Sequence, residues 1–176
     1  AALASNGTLD NRTGGLETYR TEYIDVIADL IQDSRFDGLR IVTILEPDSL
    51  PNMVTNVVPA WPECNYVNQH KVYEKGVQYA IERLTQKDNT YIYLDIGHSG
   101  WLGWETNLRP TTSLYTQVVN GANTSEGLAA IDGVVTNVSN STPTEEIFLP
   151  DPDLTVGSGQ VKSSDYFEFN PIFDER

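Results

Sequence analysis

Two observations predict an α/β fold built on a parallel sheet. Stretches with helical spacing alternate with short runs, and those runs are apolar almost without interruption, as strands covered on both faces are. A third points the same way: acidic residues follow two of the runs, at the strand C-terminal ends where α/β folds place their active sites. Leu16 to Gln32 carries apolar residues at Leu16, Tyr19, Tyr23, Ile27 and Leu30/Ile31, the spacing of an amphipathic helix, with Gly14-Gly15 ahead of it. Arg35-Phe-Asp-Gly38 then turns the chain into a strand over Leu39 to Leu45. A second helix is predicted over Val72 to Leu84, with Val72, Val77, Ala80, Ile81 and Leu84 apolar, and Lys87-Asp-Asn-Thr90 leads from it into a strand over Tyr91 to Leu94. A third helix is predicted from Thr112 to Gly121 and a short strand around Gly133 to Thr136. From Ser141 to Ser164 the chain is rich in Pro, Thr, Ser, Gly and acidic residues and has no helical period. Its Ile147, Phe148 and Leu149, with Tyr166, Phe167 and Phe169 beyond, predict an ordered loop that packs on something.

With 176 residues the chain has room for one domain and a sizeable core, but falls short of the roughly 250 residues of a closed β/α barrel. A net charge of −14 and the absence of clustered Lys and Arg argue against nucleic acid or an anionic membrane as partner. No run approaches the roughly 18 apolar residues that span a bilayer, and the N-terminal residues do not read as a signal peptide. One cysteine, Cys64, leaves no internal disulfide. With only two histidines, His70 and His98, the chain offers little for a metal, and neither metal nor cofactor is expected. Asn-X-Ser/Thr acceptors at Asn6, Asn11, Asn123, Asn137 and Asn140 matter only in a eukaryotic secretory host.

The chemistry concentrates in two stretches. Glu46-Pro-Asp48 offers two carboxylates around a proline that stiffens the backbone, a way to aim one of them; Asp48 equally suits a helix N-cap before Ser49. Tyr93-Leu-Asp-Ile-Gly-His-Ser-Gly-Trp-Leu-Gly-Trp104 places a carboxylate, an imidazole and two indoles just past a strand. Asp95 is either a catalytic group or a strand-end carboxylate that binds loop amides. Trp101 and Trp104, three apart and interleaved with Gly97, Gly100 and Gly103, are either core or flat platforms for pyranose rings, and His98 is a structural imidazole or a donor to sugar hydroxyls. Acids beside aromatic platforms fit cleavage of a sugar polymer, which needs one carboxyl kept protonated for the leaving oxygen and others to tune it or activate water.

These residues carry a family resemblance. Glu46-Pro-Asp-Ser-Leu with Thr55-Asn56, and Tyr93-Leu-Asp-x-Gly-His-x-Gly-Trp-Leu-Gly-Trp104, resemble in order and spacing the two central signatures of glycoside hydrolase family 6, the inverting cellulases. Ala1-Ala-Leu-Ala-Ser-Asn-Gly7 resembles the segment after that family's Asp-Arg-Asp-Cys motif, so the likeness covers essentially the whole chain. It implies a distorted, incomplete β/α (TIM-like) barrel with parallel strands and long active-site loops. It also implies a secreted, monomeric enzyme acting on cellulose and cello-oligosaccharides. In that reading Asp48 is the proton donor, Asp95 a supporting carboxylate and Ser5 a residue that positions water and contacts substrate. His98, Trp101, Trp104 and Asn140 are sugar contacts.

The resemblance also implies what this chain lacks. The Asp-Arg-Asp-Cys motif would precede Ala1, and its Cys is the implied partner of Cys64; the later strands, with further sugar contacts and the catalytic base, are absent too. Residues 1–176 are therefore expected to be part of one catalytic domain, inactive and poorly stable when isolated because a partial barrel leaves sheet edges open. Segment 137–170 resembles the extended loop that roofs the cleft of exo-acting bacterial members, and implies a cellobiohydrolase releasing cellobiose from non-reducing ends. The alternatives are an endoglucanase of the same family, or a non-catalytic glucan-binding or inert piece.

Overall fold

The structure is a computed structural model and describes residues 14–57, 62–139, 155–156 and 159–160. Its centre is a parallel sheet of three strands in the order β1-β2-β3: β1 Ile41–Leu45, β2 Thr90–Asp95 and β3 Gly133–Val135. The register pairs Ile41 with Thr90 and Leu45 with Leu94, then Tyr93 with Gly133 and Asp95 with Val135, so all three strands end at nearly one level. Two short strands, Thr155–Val156 and Gly159–Gln160, pair antiparallel in a separate ribbon. The rest of segment 140–170 lies outside the described residues, as do Ser5 and Asn140.

The first helix, α1, runs through Gly15–Thr18, a π-helical turn over Tyr19–Ile24 and Asp25–Ile31. The wider turn explains why its inward face departs from the predicted one, since a π-turn adds a residue and rotates everything that follows. Tyr19 still faces in, but Ile24, Ala28 and Ile31 form the buried stripe, while Tyr23 and Leu30, expected inward, are about half exposed.

Helices α2 Ser49–Thr55, α3 Pro62–His70 and α4 Val72–Leu84 join β1 to β2. In α4 all five residues of the predicted stripe are buried. The helical turn α5 Ser99–Leu102 and helix α6 Glu105–Gly121 follow β2. Helix α6 starts seven residues before the predicted Thr112 and holds Pro110 inside it. The exposed proline removes the bond that its N–H would give to the carbonyl of Thr106, and the helix keeps its course by burying Thr111, Tyr115, Val118 and Val119 on one side. Helices α3 and α5 were not legible as helices, being short and weakly amphipathic.

The core lies between one face of the sheet and α1, α4 and α6. Leu45, Ile92 and Leu94 of the strands meet Ala28, Val77, Ala80, Ile81, Leu84, Val118 and Val119. Among the described residues helices cover this face. Val42 and Ile44 on the other face are 61% and 39% exposed. An unbroken apolar run shows that both faces of a strand avoid water, and leaves open which element covers each. Arg83 of α4, with Nε 2.6 Å from Oδ1 of Asp25, ties α4 to α1, and the Tyr79 hydroxyl donates to the same oxygen at 2.8 Å. No described helix is long and apolar enough to cross a membrane.

Ile92 sits at the centre of the middle strand with no exposed surface. Ile92→Ala is expected to lower unfolding free energy by about 2–5 kcal/mol in a urea titration, and a loss below about 1 kcal/mol would show that this layer is not the core.

Candidate active site

The site is built where the three parallel strands end. Beyond Leu45 the chain makes a sharp exit: Glu46 has φ 40° and Asp48 φ 70°, two non-glycine residues in the left-handed region on either side of Pro47. The residue before a proline ordinarily prefers extended backbone, so Glu46 is held against two preferences. The exit is fastened at several points. The Ser49 N–H donates to the Glu46 carbonyl at 3.0 Å and the Asn52 N–H to the Asp48 carbonyl at 3.1 Å. The Tyr19 hydroxyl donates to Glu46 Oε1 at 3.0 Å. The Asp48 N–H donates to Asp95 Oδ2 at 2.7 Å, across 47 residues of sequence.

Asp95 is therefore where the two sequence stretches meet. It is 2% exposed, and its second oxygen accepts from the Gly97 N–H at 3.2 Å. Both carboxylate oxygens take backbone amides, one from each strand exit, which repays removal of the charge from water. The backbone carbonyl of Asp95 accepts from the Tyr115 hydroxyl on α6. Asp48 occupies the N-cap position of α2, yet its side chain makes no cap bond. Its half-buried carboxyl stays available on a turn whose backbone is pinned.

The exit of β2 carries the ring residues. Gly97 has φ 78°, and a Cβ there would stand 3.1 Å from Cε3 of Trp101, so the indole of Trp101 lies against backbone that only glycine leaves open. Trp101 Nε1 donates to Thr55 Oγ1 at 3.2 Å, joining α5 to α2, and Asn107 Nδ2 donates to the Trp101 carbonyl at 2.7 Å. Trp104 stands at the N-cap position of α6; both indoles are half-buried. His98 is half-buried as well, with a buried Nδ1 that has no hydrogen-bond partner. The third exit joins the other two: the Ile96 N–H donates to the Val135 carbonyl and the Asn137 N–H to the Gly97 carbonyl, each at 2.9 Å.

The structure thus brings Asp48, Asp95, His98, Trp101 and Trp104 to one end of the sheet. Cys64, half-buried on α3, is a free thiol. Among the described residues no three His, Cys, Asp or Glu side chains stand close enough to hold a metal ion. Sequence reasoning missed Tyr19 and Tyr115, which fasten the two strand exits from below. Both lay on predicted helices, but helical spacing carries no sign of which hydroxyl meets which acceptor. Chemically, a carboxyl aimed by a rigid turn beside half-buried indoles is equipped for general-acid catalysis on a ringed substrate.

The arrangement is that of an α/β site at the ends of parallel strands, and comparison with known proteins specifies the family. The sequence model described as "Glycosyl hydrolases family 6" matches residues 1–172. "Exoglucanase A" of Cellulomonas fimi is 45% identical over 174 residues, 99% of this chain and 19% of that protein. The solved catalytic domain of Cellulomonas fimi Cel6B aligns with TM-score 0.78 and 44% identity over 92% of this chain and 35% of that one. Endoglucanase CEL6B from Humicola insolens aligns with TM-score 0.66 and 30% identity over 77% of this chain and 35% of that one. The chain belongs to glycosyl hydrolases family 6, and spans about a fifth of the curated relative and about a third of each solved structure. Its parallel strands and flanking helices are part of that family's distorted β/α barrel.

The buried hydroxyls supply a pH test. Both Tyr19 and Tyr115 are pushed above the ordinary tyrosine value, first by burial and then by neighbouring carboxylates, Glu46 for the one, Asp95 and Asp48 for the other. Protons held more tightly in the folded state stabilise it fully below the unfolded value of about 10, and that stability is lost as pH rises beyond it. The thermal midpoint is expected to hold to about pH 9.5 and fall above about pH 10, with a shallower fall in Tyr115→Phe. An unchanged slope in that variant would count against the burial of Tyr115.

Proposed function

We propose that the protein cleaves β-1,4-glucosidic bonds of cellulose and cello-oligosaccharides with inversion at the anomeric carbon, and that Asp48 protonates the leaving oxygen. The observation that carries this reading is the Asp48–Asp95 contact at the strand ends: it pins the backbone of one carboxyl-bearing residue and leaves its side chain uncommitted, in a chain of a glycoside hydrolase family. Inversion also needs a second carboxylate, about 6.5–9.5 Å from the acid, to activate water on the opposite face of the sugar. We assign that base to no residue of this chain. Ser5 is proposed to position the water, and His98, Trp101, Trp104 and Asn140 to hold the sugars around the scissile bond.

We read the action as exo, with segment 137–170 roofing the cleft and cellobiose leaving from non-reducing ends; the likeness to an exoglucanase over 99% of the chain supports this. An endo-acting enzyme is the second reading, favoured by the structural likeness to an endoglucanase. Viscosity of a soluble cellulose falling faster than reducing ends appear would select the endo reading. We also propose, from the family resemblance, that the enzyme is secreted and monomeric. With no base assigned among them, and with Val42 and Ile44 of the sheet 61% and 39% exposed, residues 1–176 alone are proposed to be inactive.

The test places this chain in its structural context, replacing the 174 matching residues of Cellulomonas fimi exoglucanase A. The chimera is expected to release cellobiose from cellulose, and Asp48→Ala in it to lower kcat by about 10²- to 10⁴-fold. Near-reference turnover in that variant would sink the assignment. Trp104→Ala is expected to reduce hydrolysis of crystalline cellulose several-fold more than that of soluble cellotetraose; equal losses would mark the indole as core.

A further inference from the structure

Three unusual features converge on the side of the β1 exit away from Asp95. Helix α1 adopts a π-helical turn that begins at Tyr19, a form that is rare and concentrated at functional sites. The turn directs a half-buried phenol to Glu46, whose Oε1 accepts from it at 3.0 Å. Gly76 of α4 leaves room for the ring: a Cβ there would stand 3.3 Å from Cε1 of Tyr19. The acceptor is itself the pre-proline residue at φ 40°. Left-handed backbone at a non-glycine residue is strained and persists where the surroundings over-determine it. At Glu46 two bonds supply that restraint, the Ser49 N–H on its carbonyl and the Tyr19 hydroxyl on its side chain.

We infer that the Tyr19–Glu46 hydrogen bond is a positioning clamp that sets the direction of the Asp48 carboxyl. The inference rests on the reading of Asp48 as proton donor. The Glu46-Pro47-Asp48 turn is short and stiff, and it is held at its two ends by different elements: α1 holds Glu46 through Tyr19, and β2 holds Asp48 through Asp95. With the first hold released, the turn pivots about the second and Glu46 relaxes toward the extended backbone that proline favours. The aim of the Asp48 side chain then changes while the fold and the sugar-binding rings stay in place. Misplacement by about 1 Å can cost as much as 10²-fold in rate. Tyr19 and Glu46 are positioning residues, since their bond reaches the reaction only through Asp48.

A donor out of line slows only bonds that need a proton to break. In the chimera, Tyr19→Phe and Glu46→Ala are expected to lower kcat on cellotetraose by about tenfold or more with KM within about twofold. On dinitrophenyl β-cellobioside, whose leaving group departs without a proton, they are expected to change kcat by less than about twofold. The double variant should lose little more than either single one, because both remove one bond. Glu46→Gln keeps an oxygen to accept from Tyr19 and should retain at least about half of the reference kcat; Tyr23→Phe, on the exposed side of the π-turn, should be unaffected. Equal losses on both substrates, no loss on either, or a Glu46→Gln loss as large as that of Glu46→Ala would overturn the clamp. Those results leave the donor reading standing if Asp48→Ala still abolishes cellotetraose cleavage. A folded reference chimera that is inactive, or that is indifferent to Asp48→Ala, overturns the donor reading and the clamp with it.

Discussion

At the C-terminal end of this sheet the exits of β1 and β2 meet on the carboxylate of Asp95. It is a formal charge with almost no exposure, and it is tolerable there because each oxygen receives a backbone N–H, one from Asp48 and one from Gly97. Those donors belong to different strand exits, so one side chain holds two loops in mutual register. The contact requires β1 and β2 to be parallel and level, Leu45 beside Leu94, and that register is set by the apolar layer beneath, where Ile92 and Leu94 meet α4 and α6. The site is thus coupled to the core through the end of β2, and through the Tyr19 and Tyr115 hydroxyls of α1 and α6.

The same geometry divides labour between two carboxylates that look alike in sequence. Asp95 spends both oxygens on amides and is sealed from solvent. Asp48, at an N-cap position, leaves its own carboxyl free, because the left-handed backbone and the bond to Asp95 shape the turn in place of a side-chain cap. Glu46, two residues earlier, is engaged by Tyr19. Three acids within one short span of space therefore have three fates, decided by which donor reaches each.

Legibility followed the length and regularity of the elements. Helix α4 could be read residue by residue, because thirteen residues without a π-turn or proline keep one face inward. Helix α1 was read as a helix, but its face was misplaced by the π-turn, whose extra residue leaves no mark in composition or spacing. The start of α6 lies seven residues before the predicted one, with Pro110 between them, and burial of Tyr115, Val118 and Val119 outweighs the one missing hydrogen bond. The exposure of Val42 and Ile44 was unreadable for a different reason: apolar strand residues reveal aversion to water and nothing about the partner.

The sequence by itself determined the α/β class, the parallel order implied by alternation, the two motif-bearing strand ends and the family those motifs resemble. These are local properties: period, turn chemistry and the spacing of unusual residues survive in one dimension. Tertiary structure alone decided that Asp95 faces inward to two amides, that Tyr115 and Tyr19 brace the strand exits, and that Trp101 lies against Gly97 with its N–H given to Thr55. Each of these joins residues from separate elements, and a hydrogen bond depends on distances of tenths of an ångström that only the packed core sets.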